Sequence, residues 1–301
     1  MIKHLIFRAV SYIPSGKVLT YGTAARLAGV KSPRLIGNVL HQNTDPKKNP
    51  CHRVVNAQGG LALNYAFGGE AEQRRKLQSE GISFIRQKVN LSKHLWKPHR
   101  LLCLFFKLLR RYGEPGPWPW FDALSPHSKE EIAIGAILTQ NVSWRNVEQA
   151  MENLRGEKAN TLDGIYRLFT KDQQKLKKLI KPAGFYNQKA LYLWEFTKFI
   201  ILNFKSLTAF FKLPLDEARL QLLAVRGIGP ETADTILLYS GEKPIFIIDA
   251  YTKKLVKHYR FKKSNLTYQV LQDFFAFNLP KNVRLYQDYH ALIVKKGKER
   301  G

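Results

Sequence analysis

From residue 129 onward, apolar side chains recur at helical spacing almost without a break, which restricts the second half of the chain to an all-α architecture. One or two helices are expected over 129–154, and another with much apolar surface over 187–204. Residues 216–225 and 231–240 form a helical pair around Arg226-Gly227-Ile228-Gly229-Pro230, where glycine and proline end one helix before the next begins. The apolar run 245–248 is ambiguous between strand and buried helix, and helix resumes after Asp249.

The first half has its own punctuation. Residues 2–12 are helical in pattern until Ile13-Pro14-Ser15-Gly16 breaks them. Thr20 is placed to cap a short helix through Leu27, Gly29 to stop it, and Ser32-Pro33 to start the next, which carries Arg34 and Gly37. This is the spacing of a helix-turn-helix, with Arg34 where base-contacting side chains sit, although a plain αα-hairpin has the same outline. Periodicity fails around 92–100, which places a linker there. A chain of 301 residues accommodates two domains, at about 150 residues each. The expected division is 1–96, a linker over 97–111, and 112–301. The expected fold class is mainly α: a winged helix-turn-helix-like domain with a small β wing, then an all-α domain.

Charge narrows the partners. Sixteen basic against four acidic residues up to Lys97, and 33 against 19 beyond it, leave both halves cationic within a net charge of +26. Phosphate neutralisation on a polyanion is the natural use of such a surface. No apolar stretch approaches the roughly 18 residues of a membrane span, and Arg8 interrupts what would be a signal peptide's apolar core. Two cysteines, Cys51 and Cys103, supply neither a disulfide framework nor four thiolates for zinc or iron–sulfur. A reduced, cytoplasmic, metal-free protein is expected. Cys103, set among leucines and Phe105, reads as a core thiol, and Trp118 and Trp120 read as core-closing side chains.

Two constellations carry chemistry. Cys51-His52 pairs a nucleophile with a base, and Glu80 is available to orient the imidazole. The run from Ile13 to Gly22, then Arg34, Gly37, Asn43, Pro50-Cys51-His52-Arg53-Val54-Val55-Asn56, Asn64-Tyr65 and Glu80-Gly81 resembles the O6-alkylguanine-DNA alkyltransferase family over residues 1–96. The resemblance implies minor-groove binding and a flipped guanine. It casts Cys51 as alkyl acceptor, His52 as its water-mediated base and Glu80 as orienter. Asn43 would brace the loop, Tyr21 would press on the target phosphate or base, Arg34 would fill the vacated stack, and Arg53 would join the DNA contacts. Family members usually carry a further domain ahead of this one. The compact form is similar to alkyltransferase-like proteins, which bind alkylated DNA but lack the acceptor cysteine; retention of Cys51 favours transfer.

In the second half, glycines at 227 and 229 allow close backbone approach, and the following helix start suits a phosphate. Asp249 begins another helix, where a capping role is the common fate of aspartate. Leu223 to Asp234, with Ile247-Ile248-Asp249-Ala250-Tyr251-Thr252 and Gly135 to Trp144, resembles the endonuclease III superfamily of DNA glycosylases from about Tyr112 onward. The resemblance implies a helix-hairpin-helix fold with Gly227 and Gly229 at the DNA backbone, Gln140 as duplex wedge and Asp249 as catalytic carboxylate. Bifunctional members place a Schiff-base lysine where Glu231 stands, so a monofunctional enzyme of the 3-methyladenine-removing branch is expected. The four-cysteine [4Fe–4S] loop of many relatives is absent here, so no cofactor is expected. The combined expectation is a monomeric repair protein on alkylated double-stranded DNA, in the cytoplasm at the nucleoid. A non-catalytic lesion sensor and a glycosylase/lyase with an amino-terminal DNA clamp are the alternatives.

Overall fold

Capping residues set the first helices before any packing does. α1 (Ile2–Ser11) buries Leu5, Ile6, Ala9 and Val10 on one face. β1 (Leu19–Thr20) passes directly into α2 (Tyr21–Ala28), where the Thr20 hydroxyl accepts the Thr23 amide at 3.2 Å. A side-chain cap such as that of Thr20 is worth about 1 kcal/mol, and Gly29 closes the helix at φ +75°. Ser32 occupies the N-cap of α3 (Pro33–His41) without a side-chain bond, so Pro33, pre-set in φ, starts the helix.

The computed structural model describes residues 2–115, 128–262, 264 and 266–299; Trp118 and Trp120 lie outside them. A 3-10 turn at Cys51–Arg53 leads into β2 (Val54–Val55), which pairs in parallel with β1, Leu19 opposite Val54. α4 (Gly69–Ser79) follows, then the antiparallel wing of β3 (Phe84–Ile85) and β4 (Lys88–Val89). Val18, Val55, Leu77, Ile82 and Val89 pack together between these elements. A short α5 (Leu91–His94) precedes α6 (Arg100–Tyr112).

Helix α6 corrects two expectations. The stretch 97–111 is not a free linker, because most of it is this helix, and Leu101, Leu102, Phe105 and Phe106 are fully buried. The rings of Phe105 and Phe106 meet Tyr12 edge-on. Pro98 therefore marks a helix start rather than an interdomain tether. Nor is Cys103 a core thiol: it shares the outward face of α6 with Lys107 and Arg110 and is exposed. Its leucine neighbours in sequence point elsewhere, because adjacent positions on a helix face different ways.

The chain divides into two compact units, Met1–Gly113 with Phe277–Pro280, and Glu114–Ala276 with Lys281–Gly301. The second is helical with no strand among its described residues. A Ser128–Glu131 capping box opens α7 (Lys129–Leu138), and α8 (Trp144–Gly156), α9 (Leu162–Lys171) and α10 (Gln173–Leu179) follow. The long α11 (Tyr186–Phe204), α12 (Leu207–Phe210) and α13 (Leu215–Ala224) lead to the glycine turn. α14 (Pro230–Thr235) then continues as π-helix through Ile236–Ser240. Residues 245–248 are extended, buried and without a strand partner. Side chains satisfy this segment instead, as where Gln272 donates to the Phe246 carbonyl at 2.9 Å. α15 (Ala250–His258), α16 (Tyr268–Asn278) and α17 (Val283–Lys298) complete the unit.

Truncating a buried phenylalanine costs about 3–5 kcal/mol. Phe105→Ala is expected to destabilise the first unit on that scale in urea unfolding, while Cys103→Ser leaves it within about 0.5 kcal/mol. Similar effects from both variants would contradict the phase of α6.

Candidate active sites

Cys51 is buried, at 5% exposure. Asn43 holds it in place: its Nδ2 donates to the Asn49 carbonyl at 2.8 Å and to Cys51 Sγ at 3.2 Å, while its Oδ1 accepts the Asp45 amide at 3.1 Å. Gln73 Nε2 fixes the turn from below through the carbonyls of His52 at 2.9 Å and Val54 at 3.0 Å. Tyr65 reaches the thiol as well, and burial, the Cys51 charge and a Cys51 hydrogen bond all push its phenol upward. Half-buried Tyr21 is pushed up by burial and then by Cys51.

The tautomer of His52 follows from its neighbours. Its Nε2 lies 2.7 Å from Glu80 Oε1. Glu80 also accepts Arg53 Nε at 2.9 Å, Arg53 Nη2 at 2.8 Å and the Gly16 amide at 3.2 Å. Burial pushes this carboxyl up, but the bonds from Arg53 and His52 and the Arg53 charge outweigh it and hold Glu80 below the ordinary carboxylate range. An ionised carboxylate can only accept, so Nε2 carries the imidazole proton and Nδ1 keeps its lone pair. Burial lowers the His52 pKa despite Glu80, leaving the ring neutral near pH 7. Nδ1 is buried with no protein partner. The group is thus a neutral base with its lone pair unused.

Arg53, expected among the DNA contacts, is turned inward. Beyond Glu80 its guanidinium donates to the Ile13 carbonyl at 2.6 Å, so it ties the segment after α1 to the Cys51 turn. Arg34 is exposed on the first turn of α3.

In the second unit the turn between α13 and α14 depends on Gly227. Its φ is +85°, and a Cβ there would overlap the Tyr192 ring on α11. Gly229 has φ −86° and open space around it, so no contact among the described residues demands glycine there. Asp234, fully buried on α14, accepts Arg219 Nε and the Tyr268 hydroxyl, each at 2.7 Å, and Gln272 Nε2 at 2.5 Å. This network ties α13, α14 and α16 together. Gln140, expected as a wedge, is turned inward: its Nε2 donates to the Gly227 carbonyl at 2.9 Å and Thr232 Oγ1 at 3.0 Å. Asn141, next in the chain, is exposed at φ +54°. Buried Lys189 anchors the preceding helix by donating to the carbonyls of Leu138 at 2.8 Å and Ala183 at 2.6 Å, and burial pushes its pKa down to about 8.

Asp249 serves as N-cap and site residue with different oxygens. Oδ1 accepts the Thr252 amide at 2.6 Å, and Oδ2 lies 3.5 Å from His290 Nε2. His290 Nδ1 is 2.8 Å from the Tyr239 hydroxyl, which reaches the Gln287 carbonyl at 3.3 Å. Burial raises the Asp249 pKa, but His290 and the Thr252 amide and hydroxyl reverse the sign, so it stays ionised below the ordinary aspartate range. The carboxylate lines a cavity of about 380 Å³ together with Gln140, Trp144, Glu231, Tyr251 and His290. Glu231 is pushed the other way, first by burial and then by the Asp249 charge, against His290 and Lys253. Among the described residues no group of three or more His, Cys, Asp or Glu is placed to hold a metal ion. The two cysteines, both in the first unit, do not supply the four thiolates of a [4Fe–4S] cluster. No helix among the described residues is long and apolar enough to cross a membrane.

Residues 2–82 match the family of the 6-O-methylguanine DNA methyltransferase DNA binding domain. Residues 134–278 match the HhH-GPD superfamily of base excision DNA repair proteins. A Methanocaldococcus jannaschii protein named as a candidate DNA repair glycosylase is 41% identical over 194 residues, 64% of this chain and 84% of that protein. Alkyltransferase-like protein 1 of Schizosaccharomyces pombe is 34% identical over 99 residues, 31% of this chain and 92% of its own length. The chain belongs to both families. Its HhH-GPD unit is also similar in fold to the H.pylori 3-methyladenine DNA glycosylase solved with 1,N6-ethenoadenine, with TM-score 0.54 and 29% identity over 67% of this chain and 95% of that one.

Sequence reasoning missed His290 in the HhH-GPD unit and left Tyr65 in the alkyltransferase unit without a role. The one available signal for His290 was a histidine heading the apolar run Ala291-Leu292-Ile293-Val294 late in the chain. Because the folded Asp249 pKa is depressed, its stabilising contribution is present above the ordinary value of about 3.9 and is lost as pH falls through the depressed value. The stability difference between wild type and Asp249→Asn is therefore expected to be constant from about pH 5 to 7 and to shrink toward pH 3 in denaturant titrations. A difference that grows on acidification would contradict an ionised Asp249.

Proposed function

We propose that the chain repairs alkylated DNA by two reactions, base excision in the HhH-GPD unit and self-alkylation in the alkyltransferase unit. The single observation that carries the first is a buried, ionised Asp249 facing a cavity large enough for a small ligand. A flipped purine alkylated on a ring nitrogen is cationic, so it leaves readily with the electron pair of the C1′–N bond. Asp249 stabilises the positive charge that develops on the sugar, and water adds at C1′ and loses a proton. Trp144 and Tyr251 line this cavity, and aromatic side chains attract a cationic ring. Glu231 offers no amine for a Schiff base, which supports a monofunctional glycosylase.

In the alkyltransferase unit, Cys51 Sγ attacks the alkyl carbon on guanine O6. The carbon–oxygen bond breaks, and the thiol proton passes through His52 Nδ1 and ends on the restored guanine. The support is the His52–Glu80 geometry, which leaves Nδ1 as a neutral acceptor. Arg34, exposed at the start of α3, would enter the duplex and fill the gap. The protein would act as a monomer on nucleoid DNA.

Incubation with duplexes carrying 3-methyladenine is expected to release the free base, with Asp249→Asn slowing release by about 10²–10³-fold. Borohydride is expected to trap no DNA adduct; a trapped adduct would instead indicate the lyase alternative. With O6-methylguanine duplex, intact-mass analysis should find one methyl group on wild type and none on Cys51→Ala. An unmodified wild-type Cys51 would reduce this unit to a lesion sensor.

A further inference from the structure

A second cavity of about 470 Å³ lies between α15 and α17. Its wall includes Tyr251, Lys254, His258, Ile293, Lys296 and Lys298, with no carboxylate among the lining residues. Gly297 permits the approach of the two helices, since a Cβ there would overlap the Tyr251 ring. Lys296 is the telling residue. It is only 9% exposed, and its Nζ has no carboxylate among the described residues, only the face of Tyr259 at 5.7 Å. Lys254 Nζ lies similarly 5.8 Å from the Tyr251 ring centre. Like charges gathered around one cavity repel one another, and cation–π contacts offset only part of that.

We propose that this cavity is a phosphate-binding site, distinct from the Asp249 cavity. Three lysines and a histidine around one small volume match a compact, multiply charged oxyanion, which lysine binds as a point charge. Tyr251 and Lys298 line both cavities, so a phosphate held here sits beside the Asp249 site. The phosphate is either a backbone diester of bound DNA or that of a free phosphoanion, and the two sources separate experimentally.

Thermal unfolding of the full chain in inorganic phosphate, against chloride at matched ionic strength, is expected to show a phosphate-specific rise in Tm. Lys254→Gln, an exposed change that spares the core, and Lys296→Met should each remove that rise, while Asp249→Asn should keep it. Binding of an undamaged duplex is then measured against salt. If the site takes a backbone phosphate, the log–log slope of Lys254→Gln falls by about 0.9. A retained slope together with the phosphate-specific Tm rise assigns the site to a free phosphoanion. Absence of both effects in wild type and variants, or a Tm rise that survives Lys254→Gln and Lys296→Met, overturns the proposal. The phosphate-specific Tm rise and the salt slope involve no excision, so failure of the glycosylase reading would leave this result unaffected.

Discussion

Burying an ionised carboxylate costs several kcal/mol unless hydrogen bonds and counter-charges surround it, and each site is organised around that demand. Glu80 meets it with the Arg53 fork, His52 Nε2 and the Gly16 amide. Asp249 meets it with a helix N-terminus and a histidine. In both cases the partners that keep the carboxylate charged are also the groups it positions. Removing Glu80 would leave Arg53 its bond to the Ile13 carbonyl but take away its fork partner, and would undefine the His52 tautomer at the same time.

The hairpin in the second unit shows the same economy with steric means. Gly227 lets Tyr192 pack against the turn, and its carbonyl then receives Gln140. Asp234 locks the flanking helices through Arg219, Tyr268 and Gln272, and the Tyr268 hydroxyl also lies 3.4 Å from the Ile248 amide, one residue before Asp249. Hairpin and carboxylate are therefore set by one buried polar network. Such networks specify a single arrangement only when every member is satisfied.

Local chemistry was readable wherever neighbours in sequence are neighbours in space. Thr20, Gly29 and Pro33 marked helix ends because caps act within three or four residues. The Cys51-His52 pair and the glycine turn were visible for the same reason. Helix α6 was misread because its opening Pro and charges resemble a linker, and the burial of Leu101, Phe105 and Phe106 depends on partners such as Tyr12 far up the chain.

The amino-acid sequence alone determined the helical class and the cationic character, because residue type and short-range spacing suffice for these, and family resemblance singled out Cys51, His52, Glu80 and Asp249 as candidates. Only the tertiary structure decided that Arg53 and Gln140 turn inward, that His290 meets Asp249, and that Lys254, Lys296 and Lys298 share one cavity. The direction of a long polar side chain is set by which partners the fold brings within about 3 Å, and those partners lie dozens of residues away.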